Sequence, residues 1–264
     1  MSIGYEALRI KAFLLIGIVL FLESVAQGDI GNRIPEEGSG QSFLYAAKRF
    51  GVPIFKAAIK IENGFVEHGK LFYQVRANVD SLASWGLFFR MNNRFTSIIE
   101  RETCTPVRYV KEIDQEGLLI KKKNYVQTLT FDPVRQKVVV EKKGEDGRQE
   151  VSIPAETYDP LSMFARYYLK DAFPTGEDIR ISLYDGMKLR QMVFHSKKEK
   201  VTSKMYGEVE AVCLESTTSF AAFGDKEGII RLWFTNNMEK IPILMELDLP
   251  IGNVKFELEE VRKD

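Results

Sequence analysis

Two cysteines and two histidines in 264 residues leave little material for several kinds of chemistry. Two cysteines cannot staple a disulfide-dense scaffold or build a cysteine-rich zinc site. Two histidines cannot form a histidine-rich metal centre. An excess of charge of either sign is also missing, with 37 Lys+Arg against 37 Asp+Glu. That balance argues against a nucleic-acid or polyanion binder, which carries a basic excess. No Gly-rich phosphate loop, nucleophile elbow or Cys-x-x-Cys pair occurs in the chain, so the motifs of nucleotide, α/β-hydrolase and thiol-redox chemistry are absent. His68 and His195 stand alone, without metal-ligand spacing, and His195 reads as a hydrogen-bonded sheet residue. The carboxylates of Glu100-Arg101-Glu102 and Glu257 to Glu260 read as solvated faces. Nothing here predicts an enzyme, a metal or a cofactor.

What is present begins with an address. Arg9 and Lys11 precede an uncharged apolar run, Ala12 to Leu22, which Glu23 ends. Eleven residues are too few for a relaxed helix to cross a bilayer, which takes ~20. Small residues at Ser24-Val25-Ala26 and Ala26-Gln27-Gly28 suit a signal peptidase. The expectation is a signal peptide over 1–28, a flexible Gly-rich lead-in over 29–40 and one domain over 41–261. The protein would then be periplasmic, with no transmembrane span after cleavage. The alternative is tethering by an uncleaved N-terminal anchor. No cysteine follows the apolar run, which argues against a lipid-anchored lipoprotein. Cys104 and Cys213 would meet an oxidising compartment, either bonded or as two separate buried thiols.

The dominant period along the rest of the chain is two. Leu71, Tyr73, Val75, Ala77 and Val79 alternate with Phe72, Gln74, Arg76 and Asn78. Phe55, Ala57, Ile59 and Ile61 share a face, as do Ile179, Ile181 and Leu183, then Ile243, Met245, Leu247 and Leu249, then Val254, Phe256 and Leu258. Such alternation makes half-buried strands. Asn63-Gly64, Asp146-Gly147 and Asp185-Gly186 read as tight turns, as do Gly51-Val52-Pro53, Asp132-Pro133, Gly224-Asp225 and Asn236-Asn237. Short spacings favour antiparallel hairpins, about eleven to thirteen strands in all. The fold class is therefore all-β with two short helices, as a large curved antiparallel sheet, an open barrel or a sandwich. One helix is capped by Asp80 and carries Leu82, Trp85, Gly86 and Phe89 on one stripe. The other is capped by Asp159, with Pro160 at its first position, and carries Leu161, Phe164, Ala165 and Tyr168. Both stripes read first as core packed on the sheet, and second as a lid over a cavity.

Two aromatic clusters stand out: Trp85, Phe88, Phe89 and Phe95, and Tyr158, Phe164, Tyr167 and Tyr168. On a curved sheet, such surplus apolar side chain suggests a concave apolar pocket. Trp85, Phe88, Phe89, Phe164 and Tyr168 are the candidate ligand-binding residues. Lys121-Lys122-Lys123 and Lys197-Lys198 read as strand-end lysines that block edge pairing, with anionic headgroups as the alternative partner.

Ordered landmarks also carry a family resemblance. Phe43-Leu44-Tyr45 with Gly51-Val52-Pro53, then Asp159-Pro160-Leu161-Ser162, resemble an opening strand with its turn and a mid-chain helix start. Tyr184-Asp185-Gly186-Met187-Lys188, Arg231 to Thr235, Ile241-Pro242-Ile243 and Pro250 to Val254 complete the pattern. From about Phe43 to Glu259 the chain resembles the bacterial envelope family known as domain of unknown function 3108. The resemblance implies an exported, all-β, non-enzymatic domain without assigned site residues. Its architecture is similar to periplasmic lipoprotein carriers, in which a curved sheet wraps an apolar cavity. The expected function is binding of an apolar ligand, such as a lipid or a lipoprotein acyl chain, on the concave face. The alternative is an envelope scaffold that recruits a protein partner through a sheet edge.

Overall fold

A computed structural model describes residues 40–67, 69–86, 88–118, 120–170, 176–220, 226–249 and 252–263. The expected signal peptide over 1–28, the expected lead-in up to residue 39, His68 and the expected turn at Gly224-Asp225 lie outside the described residues. Among those described, the chain forms fifteen strands and one α-helix. The strands are β1 (Gln41–Arg49), β2 (Val52–Glu67), β3 (Lys70–Ser81), β4 (Phe89–Glu100), β5 (Pro106–Gly117), β6 (Ile120–Asp132), β7 (Lys137–Lys142) and β8 (Arg148–Ser152). After the two-residue β9 (Thr157–Tyr158) come helix α1 (Pro160–Leu169), β10 (Asp178–Tyr184), β11 (Leu189–Ser203), β12 (Gly207–Phe220), β13 (Lys226–Thr235), β14 (Pro242–Leu249) and β15 (Gly252–Lys263).

All fifteen strands belong to one sheet, in the order β8-β7-β6-β5-β4-β3-β2-β1-β15-β14-β13-β12-β11-β10-β9. Every pairing is antiparallel except the short β9–β10 contact. The first and last strands meet in the middle, Phe43 opposite Val261 and Ala47 opposite Phe256. The two outermost strands, β8 and β9, are consecutive in the chain. From Ser152 to Thr157 the chain reaches at most about 17 Å, so the sheet curls until its edges approach without pairing. The result is an open barrel, in which natural strand twist supplies the curvature.

The alternation read from the sequence sets the inner face. Val75, Ala77, Val79, Phe55, Ile59, Ile61, Val254, Phe256 and Leu258 are all buried. The turns β1–β2, β3–β4 and β5–β6 follow every second strand, so they share one end of the barrel, here the upper end.

Three local readings change, and one open alternative is settled. The helix expected after Asp80 is a single 3-10 turn, Ala83–Trp85, without a side-chain cap, and Phe89 already belongs to β4. A β3–β4 connection of seven residues leaves no room for more. Asn63-Gly64 is not a hairpin turn but a bulge inside β2, where the register shifts between Asn63 and Val66. A Cβ at Gly64 would meet the Phe72 carbonyl oxygen at 2.4 Å, so glycine there permits close strand approach. The strand count exceeds the expected eleven to thirteen because β8 and β9 are too short to alternate visibly. Finally, Cys104 and Cys213 are free and separately buried.

Helix α1 does not lie outside the sheet. Pro160 to Ala165 and Tyr167 are all buried, and a helix buried on every side belongs to the interior. Phe164 packs on Phe43 of the middle strand β1 and on Phe234 of β13, and Tyr167 on Phe194 of β11, while Ser97 on β4 of the other arm bonds Asp159 at the helix start, so both arms of the sheet close on the helix. Asp159 holds the first turn, accepting from the backbone N–H groups of Leu161 at 2.8 Å and Ser162 at 3.1 Å.

Candidate functional site

The concave face divides in two along the strands. Its lower half is filled by α1. There Phe164 sits among Phe43, Phe234 and Tyr168, and the Tyr168 hydroxyl donates to the Gln41 side chain at the lower end of β1. Burial pushes the Tyr168 phenol up to about 12. Phe164 is 4% exposed and acts as core.

The upper half is different. Phe55 of β2 meets Phe89 at 5.6 Å between ring centroids, and Trp85 stacks on Phe89 at 5.9 Å. The Trp85 indole N–H donates to the Pro53 carbonyl at 3.0 Å, which fixes the ring over the mouth of the barrel. Phe88 touches Trp85 at 6.2 Å but is 51% exposed, on the outer side of the turn. Phe55 pairs with Ala47 and Phe43 with Ile59. Phe43 and Ala47 lie four residues apart on one strand, about 13 Å. The structure therefore brings Trp85, Phe88 and Phe89 together and keeps Phe164 and Tyr168 apart from them.

Sequence reasoning missed the polar side chains of this half. On β5 the inward positions are Tyr109, Lys111, Ile113 and Gln115, all buried. Gln115 is fully buried opposite Met91, and neither its amide oxygen nor its amide nitrogen has a hydrogen-bond partner. Asn93, also fully buried, accepts from the Asp114 backbone N–H at 3.2 Å, while its amide nitrogen is unpartnered. Across the other edge of β5, Lys123 stands directly opposite Gln115 and so shares its face. A signal for this group was available, because polar residues occupied alternate positions that strand period two assigns to the inside.

Lower on β5, the Lys111 ammonium donates to the Asp185 backbone carbonyl at 2.7 Å, across the interior. Asp185 and Arg190 form an ion pair at 2.8 Å, both side chains 6% exposed. The β10–β11 turn thus leans across the barrel and pins one arm to the other. His195 lies on the wet face, bonded to Asp178 at 2.6 Å. Among the described residues, no three His, Cys, Asp or Glu side chains gather as a metal site would require.

This fold fits a known pattern. The profile of the family described as Protein of unknown function (DUF3108) matches residues 44–259. The chain belongs to the DUF3108 family. A crystal structure described as a beta-barrel-like protein of domain of unknown function DUF1849, from Brucella abortus, resembles this DUF3108 protein with a TM-score of 0.54. The match covers 85% of this chain and 98% of that one at 9% identity, which supports a shared fold alone. No curated protein matches the sequence.

Proposed function

We propose that this DUF3108 protein is an exported, non-enzymatic binding protein. Its ligand is an amphipathic lipid, with an acyl chain against Phe55, Phe89 and Met91 and a polar head at Gln115, Asn93 and Lys123. The observation that carries the reading is Gln115. A fully buried amide with both atoms unpartnered costs about 1–3 kcal/mol per orphaned group, and folded proteins keep such groups where something polar meets them. The apolar neighbours and the facing lysine select a ligand that is oily at one end and anionic at the other. The envelope location rests on the N-terminal pattern of Arg9, Lys11 and the apolar run 12–22.

A scaffold acting by strand addition is the second reading, and the edges disfavour it. β8 is five residues long and carries Arg148 and Glu150, and β9 has two residues. Short, charged edges discourage pairing.

The test is native purification followed by organic extraction and mass spectrometry, with uptake of a fluorescent fatty acid as a second readout. Co-purifying lipid and saturable uptake, weakened by Trp85→Asp, support the reading. An empty extract together with no uptake overturns it.

A further inference from the structure

The polar atoms left open in the upper half of the barrel are unequal in kind. Gln115 offers a carbonyl oxygen and an amide nitrogen, both buried and unpartnered. Asn93 offers a nitrogen alone. Its other side-chain atom accepts from the Asp114 backbone N–H at 3.2 Å, and a backbone N–H can only donate, so that atom is the oxygen. The two residues are close neighbours. Gln115 on β5 stands opposite Met91 on β4, and Asn93 follows Met91 by two residues on the same face. They nonetheless leave each other's open atoms unsatisfied. Met91 and Ile113, both buried, wall the pair with apolar surface.

This inventory defines its own complement. A primary amide nitrogen carries two N–H bonds, so the nitrogens of Gln115 and Asn93 call for several acceptors, while the Gln115 oxygen calls for a donor. Lys123, directly opposite Gln115, adds positive charge on the same face. The matching group has acceptor oxygens, a negative charge and an N–H. A fatty acid carboxylate supplies the first two but no N–H, and so leaves the Gln115 oxygen orphaned. A monoacylglycerol brings hydroxyl donors but no charge for Lys123. An acyl chain joined through an amide to an amino acid supplies all three. Its planar trans amide presents N–H and C=O on opposite edges, which suits a position between two side chains rather than against one.

We infer that the internal ligand is an N-acyl amino acid. Its amide N–H donates to the Gln115 oxygen, its amide carbonyl accepts from the Asn93 nitrogen, and its carboxylate faces the Gln115 nitrogen and Lys123. The inference rests on the reading of the barrel as a lipid-binding interior and adds the linkage between chain and head. A site built to hydrogen-bond a ligand N–H rejects the analogue that lacks it, because its own polar atom is then left unpaired. Gln115 is thus the residue that sets specificity for the amide.

The experiment is calorimetric titration of the delipidated protein with three probes of equal chain: N-dodecanoyl-alanine, its ester isostere O-dodecanoyl-lactate, and dodecanoic acid. The first two differ only in an N–H replaced by oxygen. N-dodecanoyl-alanine binds about tenfold or more tightly than the ester, and dodecanoic acid also binds more weakly than the amide. In Gln115→Leu, with an unchanged circular dichroism spectrum, amide and ester bind alike. The probe pair on the unmodified protein decides the matter even if that variant fails to fold. Equal binding of amide and ester by the unmodified protein overturns the inference and leaves the lipid-binding reading standing. So does an amide preference that survives in folded Gln115→Leu. Binding of none of the three probes overturns the lipid-binding reading and this inference with it.

Discussion

The Ser97 hydroxyl donates to the Asp159 carboxylate at 2.6 Å, tying the middle of β4 to the first turn of α1. Asp159 is fully buried, and it also receives the backbone N–H groups of Leu161 and Ser162. One side chain thus caps the helix and locks it to the sheet that surrounds it. Burial raises the Asp159 carboxyl above its ordinary value, more than its hydrogen bonds lower it.

The pH dependence follows from that direction. A carboxyl raised in the folded state makes the folded protein bind its proton more tightly than the unfolded chain does. Its contribution to stability is therefore greatest at low pH, and it falls as pH rises from the ordinary carboxyl value to the raised one. Asp159→Asn keeps a capping oxygen and removes the ionisation, so this downward slope disappears. Asp159→Ala removes the cap and costs about 1–2 kcal/mol from that loss alone. Urea denaturation of the three proteins across the acid range checks both statements. An unchanged slope in Asp159→Asn would place the titration elsewhere.

The Asp185–Arg190 pair holds the turn that crosses the barrel. Asp185 also accepts from the backbone N–H groups of Met187 at 2.8 Å and Lys188 at 3.0 Å. Gly186 beside it has a φ of 84°, and a Cβ there would meet the Gln127 amide oxygen at 2.8 Å. Arg190→Ala leaves a buried carboxylate without its cation and destabilises by about 3–5 kcal/mol. Gly186→Ala destabilises as well, through both backbone strain and the clash with β6. Thermal melts of each variant give the values. A loss under 1 kcal/mol for Arg190→Ala would mean that the turn is not pinned.

The two thiols make a sharper statement about chemistry. Burial pushes the Cys213 thiol up to about 12, and Cys104 is fully buried. Thiolates are the reactive form, so neither cysteine reacts with an aromatic disulfide reagent in the native protein. Both react after denaturation without reductant. Fewer than two thiols in the denatured, unreduced protein would reveal a bond between them.

Much of this architecture was legible in the alternation. A period of two marks a strand and its inner face wherever one side is wet, and Val75, Ala77, Val79, Phe55 and Ile59 were placed correctly for that reason. The Asp159-Pro160 cap was equally clear, because its hydrogen bonds are local. What the pattern could not carry was spatial. The closure of β1 on β15 depends on contacts some 200 residues apart. The aromatic residues were grouped by chemistry, yet Phe164 and Trp85 occupy opposite halves of one concave face. Asn63-Gly64 has turn chemistry but sits in a bulge, since the register between β2 and β3 overrode local preference. The inward Lys111 and Gln115 follow the same alternation along β5, but a polar residue at an inward position does not by itself say what it meets.

Gln115 separates a structural role from a binding one. Leucine has a similar shape and no polar atoms to leave orphaned. Gln115→Leu therefore stabilises the ligand-free protein, by about 1–3 kcal/mol at most. If the amide receives a lipid headgroup, the same substitution weakens uptake of a fluorescent fatty acid while a plain hydrocarbon probe still binds. Stability and binding then move in opposite directions, which is the signature of a residue kept for its ligand rather than for the fold. Calorimetry of the delipidated proteins, with titration of both probes, measures the two effects separately. A destabilised Gln115→Leu variant with unchanged fatty-acid uptake would return Gln115 to a purely structural role and remove the polar end of the proposed site.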